Sequence, residues 1–275
     1  MITVLTGSTS GIGFETLKGL LDHSEVFILP VRNLEKAESK LAKFSNREKF
    51  KLYEFDLADL ESVKAASQKI NKDFPKIDLM INNAGGMFPG GKKNNKGLDM
   101  TFTVNHLGHF LLTHQLLPSL IKGEAKVIQV SSEAHRLGKF RSNDIGLSSV
   151  SSTITAYGEA KLYNILMAKE LANRYGKEGI TAFSLHPGAV KTAFGSETDP
   201  ITKAIIRATQ LFFISAQKGA ENSLFLAKTD STKLKNGGYY VRKKLKSPNS
   251  AGLSASNAEE LWEFSEKTLE KLGLI

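Results

Sequence analysis

From residue 2 to about residue 186, short β-rich runs alternate with stretches of helical periodicity, and few architectures accommodate that rhythm. The runs occupy residues 2–6, 25–31, 50–55, 77–82, 126–131 and 180–185. Between them apolar residues recur three and four apart, as in Val63, Ala66, Ile70 and Phe74. Strand, helix, strand repeated this way calls for a parallel sheet with helices on both faces. The right-handed preference of such crossovers makes a doubly wound α/β sheet the economical topology. A seventh strand is expected at residues 238–242. With no Pro/Gly/Ser-rich linker and no internal repeat, residues 1–275 read as a single domain. Residues 193–216 break the rhythm with Phe194, Ile205, Ile206, Phe212 and Phe213, and read either as ordinary core or as a substrate lid within that domain.

Directly after the first run the chain reads Thr6-Gly7-Ser8-Thr9-Ser10-Gly11-Ile12-Gly13 and enters a helical pattern. A strand that turns tightly into a helix aims backbone N–H groups, and the positive end of the helix dipole, at an anion. Gly7 and Gly11 permit the turn and a close approach by a pyrophosphate, while Gly13 lets the helix pack near the sheet. The spacing is not G-x-G-x-x-G, so the position between strand and helix carries the inference. The second run closes on Val31-Arg32-Asn33, with no carboxylate before Glu35. A carboxylate there would hold a free ribose 2′-hydroxyl; Arg32 instead offers a planar fork of donors suited to a 2′-phosphate. Asn33 can cap the following helix or bond the same phosphate. The expected cofactor is NADP(H).

Tyr157 and Lys161 stand one turn apart on a helical stretch expected from about residue 156 to 175. An ammonium beside a phenol favours the phenolate and lowers its pKa toward the working pH. Such a pair can exchange a proton with a carbonyl or alcohol oxygen, which hydride chemistry requires. The same Tyr-x3-Lys spacing recurs at Tyr239/Lys243 and Tyr240/Lys244, but in an expected strand, where four residues span about 13 Å. Ser131 and Ser132 close the fifth run, where a hydroxyl could hold a substrate oxygen or simply cap a turn. Asn105, within Val104-Asn105-His106-Leu107, reads as a buried polar group in need of a partner.

Composition narrows the partners. The chain has no cysteine, which excludes disulfides and thiolate metal sites. His106, His109 and His135 read as packing or surface residues, and no metal is expected. The formal charge of +9 is mostly scattered among glutamates; only Lys92/Lys93/Lys96 and Arg242/Lys243/Lys244/Lys246 cluster, without the interleaved aromatics of a nucleic-acid surface. No run approaches the roughly 18 apolar residues of a membrane span, and no signal-peptide pattern opens the chain. The expectation is a cytoplasmic protein without an integral membrane segment, acting on a small carbonyl or alcohol.

Together these segments resemble the short-chain dehydrogenase/reductase family along nearly the whole chain. The matching residues are Thr6-Gly7-x3-Gly11-Ile12-Gly13, Asp56-Leu57, Asn82-Asn83-Ala84-Gly85, Asn105, Ser131-Ser132, Tyr157-x3-Lys161 and Pro187-Gly188. The resemblance implies a Rossmann-type sheet of about seven strands and the following roles. Ser132 would orient the substrate carbonyl, Tyr157 act as acid or base, and Lys161 bind the nicotinamide ribose, with Asn105 completing a water-linked relay. Gly7, Ser8, Ser10, Gly11, Ile12 and Gly13 would surround the pyrophosphate. Asp56 and Leu57 would flank the adenine, and Asn83, Ala84 and Gly85 would support the cofactor. Pro187, Gly188, Val190 and Thr192 would sit by the nicotinamide. Val31-Arg32-Asn33, residues 103–110 and residues 186–192 are most similar to the retinol-dehydrogenase-like branch. Many members of that branch carry an N-terminal membrane segment, whereas here the first strand begins at residue 2. A dimer or tetramer follows by the same analogy. The expected function is NADPH-preferring interconversion of an alcohol and a carbonyl on a lipophilic molecule. The alternatives are a dinucleotide-binding sensor or scaffold without turnover, and an enone (C=C) reductase.

Overall fold

The computed structural model describes residues 1–190, 199, 202 and 213–275. In chain order the strands are β1 (Ile2–Leu5), β2 (Val26–Val31), β3 (Phe50–Glu54), β4 (Leu79–Asn82), β5 (Lys126–Val130), β6 (Thr181–His186), β7 (Tyr239–Val241) and β8 (Lys244–Lys246). The helices are α1 (Gly11–Leu20), α2 (Leu34–Leu41), α3 (Leu60–Asp73), α4 (Met100–Phe102), α5 (Gly108–Lys122), α6 (Thr153–Tyr175), α7 (Ala216–Lys228), α8 (Ser250–Leu253) and α9 (Ala255–Lys271). The strands form one sheet in the order β3-β2-β1-β4-β5-β6-β7-β8, parallel from β3 to β7.

Alternation along the buried strands explains the two-sided helical cover. Val4, Ile28, Met80, Val127 and Ala182 join a core with α3, α5, α6 and α9. Their neighbours Leu5, Phe27, Ile81, Ile128 and Phe183 join the opposite core with α1, α2 and α7. Successive side chains of a strand point to opposite faces, so strands apolar at nearly every position must be covered twice. The direction in which successive strands are added reverses at β1, which pairs in parallel with both β2 and β4. That opens a crevice at the carboxyl ends of these strands.

The sheet has eight strands rather than about seven. β8 returns antiparallel to β7 through a two-residue turn in which Arg242 and Lys243 both have left-handed backbones (φ +50° and +63°). Such turns normally advertise themselves by Asn-Gly or Gly-Gly, and Arg-Lys gives no such signal. The candidate lid at 193–216 falls largely outside the described residues, and Thr192 lies wholly outside them. Close to the C-terminus, α9 covers α6: Trp262 meets Phe110 edge-on at 4.7 Å, and His106 Nε2 lies 2.9 Å from Ser265 Oγ.

Candidate active site

The glycine turn joins β1 to α1 at the crevice. Gly7 and Gly11 have φ of +69° and +54°. A Cβ on Gly13 would lie 2.2 Å from the Gly7 carbonyl oxygen, so no larger residue fits there. Among the described residues the N-terminus of α1 has no side-chain cap: Ser10 makes no cap bond, and no acidic residue occupies the first turn. Within the same turn the Ser8 hydroxyl is buried with no hydrogen-bond partner among the described residues. Open helix N–H groups and an orphaned hydroxyl beside a left-handed glycine suit a diphosphate, so these residues fit a dinucleotide.

Thr6 holds this turn against the β4 segment. Its Oγ1 accepts from the N–H groups of Asn83 (2.9 Å) and Ala84 (3.0 Å). Both acceptor sites are then used, so its proton must go to His109 Nε2 at 3.0 Å. His109 is therefore a neutral imidazole protonated on Nδ1, and burial holds its pKa at about 3. Asn83 Nδ2 also donates to the Thr6 carbonyl (2.9 Å). The sequence placed Asn83 and Ala84 here and Thr6 in the glycine-turn motif, but His109 read only as a packing or surface residue. The spacing of four between Asn105 and His109, on one helical face, was the available signal.

The proton-handling residues gather at the ends of β4 and β5. The Ser132 hydroxyl acts on the Tyr157 phenol, favouring its ionised form. Ser132 Oγ also accepts from the Ala134 N–H (3.2 Å), capping the tight turn Glu133–Leu137. The two readings of this serine, cap and active hydroxyl, are thus compatible. Lys161 is buried on the same helix, with Nζ 5.5 Å from the centre of the Tyr157 ring and donating to the Val130 carbonyl at 3.1 Å. Ser131 Oγ donates to the Lys161 carbonyl (2.6 Å), tying β5 to α6. Asn105 lies in a π-helical turn, Thr103–Leu107, between α4 and α5. Its Oδ1 accepts from the Gly86 N–H (3.2 Å), and its Nδ2 donates to the carbonyls of Gly86 (2.9 Å) and Thr101 (3.0 Å). A Cβ on Gly85 would meet Asn105 Oδ1 at 2.6 Å and Lys161 Nζ at 3.1 Å, so glycine there lets the two converge.

The electrostatics correct one expectation. Burial raises the Tyr157 pKa above its ordinary value, more than the neighbouring Ser132 hydroxyl lowers it. Burial also lowers Lys161 to about 8. Desolvation penalises both charged forms and here outweighs the attraction between ammonium and phenolate.

The remaining candidates are distributed around this crevice. Arg32 is exposed at the end of β2, while Asn33 caps α2, its Oδ1 accepting from the Lys36 N–H (2.7 Å). Only the Asn33 amide nitrogen is then left to serve a phosphate. Asp56 Oδ1 accepts from the Ala58 N–H (2.9 Å), and Leu57 is buried in the core. A Cβ on Gly219 of α7 would touch both Ile12 and Val190, which brings the first helix to the segment after β6. Pro187 and Gly188 follow His186, whose Nδ1 accepts from the Glu133 N–H (3.1 Å). Glu133 in turn accepts from Tyr239 Oη (2.8 Å). This clamp, missed in the sequence, ties the Ser132 loop to the β6 end. Two concavities lie elsewhere, one of about 810 Å³ between α2 and β3 and one of about 470 Å³ beneath the β7–β8 hairpin; neither contains the constellation above. Among the described residues, no group of three His, Asp or Glu could hold a metal ion.

A sequence model of the short chain dehydrogenase family matches residues 1–201. The chain belongs to that family. Retinol dehydrogenase 12 of Mus musculus is 32% identical over 277 residues, covering 99% of this chain and 86% of that protein. Retinol dehydrogenase 11 of Mus musculus is 32% identical over 271 residues, covering 96% and 84%. These relatives place the short-chain dehydrogenase in the retinol-dehydrogenase-like branch. Among solved structures, an uncharacterized protein from Mycobacterium paratuberculosis superimposes with a TM-score of 0.79 at 27% identity, covering 98% of this chain and 93% of that one. An NADPH-bound carbonyl reductase from chicken fatty liver shares the fold alone, with a TM-score of 0.66 at 20% identity over 89% of this chain and 98% of that one. As a member, the dehydrogenase is an alcohol/carbonyl oxidoreductase using a nicotinamide dinucleotide and a small-molecule substrate. No helix among its described residues is long and apolar enough to cross a membrane.

Proposed function

We propose that this dehydrogenase prefers NADPH and interconverts an alcohol and a carbonyl on a lipophilic substrate, with Tyr157 as the general acid and base. The observation that carries the reading is the buried Lys161 ammonium 5.5 Å from the centre of the Tyr157 ring, one helical turn away and beside the end of β5 that carries Ser132. When bound, the dinucleotide supplies or accepts the hydride. Ser132 donates a hydrogen bond to the substrate oxygen and so fixes the carbonyl against the phenol. Tyr157 delivers its proton to that oxygen as negative charge develops, or removes one in the oxidative direction. Lys161 holds positive charge beside the phenol and contacts the nicotinamide ribose; Asn105 orders the proton path that reaches Lys161. The backbone from Gly7 to Gly13, with Ser8 and Ser10, cradles the diphosphate, and Arg32 takes the 2′-phosphate. Asp56 flanks the adenine, and Asn83, Ala84 and Gly85 brace the cofactor from β4. Pro187, Gly188 and Val190 line the nicotinamide side.

Initial rates with NADPH and NADH across a series of aldehydes of increasing alkyl length test this reading. Wild-type kcat/KM should rise with chain length. Arg32→Ala should raise the KM for NADPH about tenfold or more, as expected for loss of a charge-assisted phosphate contact, and leave that for NADH nearly unchanged. Equal effects on the two dinucleotides would remove the NADPH preference.

A further inference from the structure

The cationic cluster at residues 242–246 has no part in the function proposed above, yet the sheet carries it to the catalytic edge. β7 runs parallel to β6 with Val241 opposite His186, so Arg242 follows alongside Pro187, at the carboxyl ends of the strands. Successive strands lie roughly 5 Å apart, which places the Arg242 backbone about 10 Å across the sheet from that of Ser132. Arg242 is exposed and forms no ion pair with any described residue. Lys243, by contrast, pairs with Glu221 (2.9 Å), which also holds Lys218 (2.8 Å). The field of Arg242 reaches the site: His186 is held at about 4 chiefly by burial, with His135 and Arg242 adding to the effect against Glu133.

The turn is also tied to α7 by hydrogen bonds and locally disfavoured. Asn222 of α7 donates to the carbonyls of His186 (3.0 Å) and Tyr240 (2.9 Å) and accepts from the Lys243 N–H (2.9 Å). Arg242 and Lys243 occupy left-handed conformations that Gly or Asn adopts with far less strain. Long cations held at such positions, beside an active site, point to a use other than folding.

We propose that Arg242 forms an anion subsite of the substrate pocket, selecting carbonyl compounds whose apolar body ends in a carboxylate or phosphate. This rests on the function proposed above. The guanidinium fork suits either oxyanion. The separation from Ser132 requires several carbon atoms between the reacting carbonyl and the anionic end. Pairing of β8 with a second copy would set Lys244 and Lys246 among their own counterparts, so like charge opposes that use of the edge.

The test compares an ω-oxo fatty acid, its methyl ester and the ω-oxo alkyl phosphate of equal chain length, with NADPH, in wild-type protein and Arg242→Asn. Asparagine tolerates the left-handed backbone, so the melting temperature should hold or rise. Wild-type kcat/KM should favour one or both anionic substrates over the ester by about tenfold, through KM, and less so as salt increases. Which of the two anions is preferred identifies the source of the oxyanion. Arg242→Asn should bring the ratio close to one while leaving the ester and the KM for NADPH unchanged. Equal turnover of acid, phosphate and ester by the wild type, or parallel loss on all three in the variant, would overturn the subsite but leave the reductase intact. No turnover of any of them, nor of a plain alkyl aldehyde, would overturn the reductase itself and the subsite with it.

Discussion

Lys161 is buried where an ammonium is costly, and its retention is a matter of chemistry rather than stability. Its pKa in the folded protein, about 8, lies below the ordinary 10.5. Below pH 8 both folded and unfolded chains carry the proton, and the folded state bears the full desolvation cost. Between about pH 8 and 10.5 only the unfolded chain is protonated, so stability rises with pH across that window. Lys161→Met should therefore stabilise the protein at pH 7 by on the order of 2 kcal/mol, allowing for the lost bond to Val130, while abolishing turnover. Urea unfolding at pH 7 and above pH 10 checks this: the gain should shrink at the higher pH, and a destabilised variant at pH 7 would contradict it. The phenol and ammonium were legible in the sequence because helical spacing alone puts residues four apart on one face. Their electrostatic balance was not, because it depends on the depth of burial and on the Val130 carbonyl. The Glu133–His186 clamp was equally hidden, since its partners lie 53 residues apart and meet only through adjacent strands.

At the scale of elements, the β1–α1 junction concentrates the most demanding packing. Gly13→Ala places a methyl group against the Gly7 carbonyl and within 2.5 Å of Asn83 Nδ2, which is itself tied to the Thr6 carbonyl. Neither can move without displacing the turn, so the variant should lose about 2–3 kcal/mol of stability and its dinucleotide affinity. Gly146→Ala, whose methyl group would meet only Phe264 at an ordinary 3.5 Å, is the matched control. Calorimetry with and without NADPH distinguishes them; equal behaviour of the two variants would discount the close approach. Strands β1 to β6 were readable because their apolar runs and flanking helices follow fixed periods. β8 was not, because three exposed residues, Lys244–Lys246, carry no apolar pattern and the turn before them lacks glycine. Asn33 shows the reverse case, where a helix cap predicted as one of two uses is the one its carbonyl oxygen adopts.

Across the whole molecule, buried neutral histidines fix how the fold responds to acid. His106 and His109 are held at about 3 and His186 at about 4, each mainly by burial. Unfolded, all three would protonate near pH 6.5, so unfolding takes up protons and stability falls as pH drops below that value. Three such groups give a slope of roughly 4 kcal/mol per pH unit in the region around pH 5. His106 also joins α9 to the domain through Ser265, so neutral imidazole there supports the C-terminal cover. Urea midpoints from pH 7 to pH 4.5 should fall steeply, and less so for His106→Gln; a flat profile would contradict the burial.

The central claim is that one phenol moves the proton. Turnover of a carbonyl with NADPH by Tyr157→Phe, measured beside NADPH binding to the same variant, tests it most directly. The account predicts a loss of about a thousandfold or more in kcat, with cofactor affinity close to wild type. Undiminished turnover in the variant would contradict it.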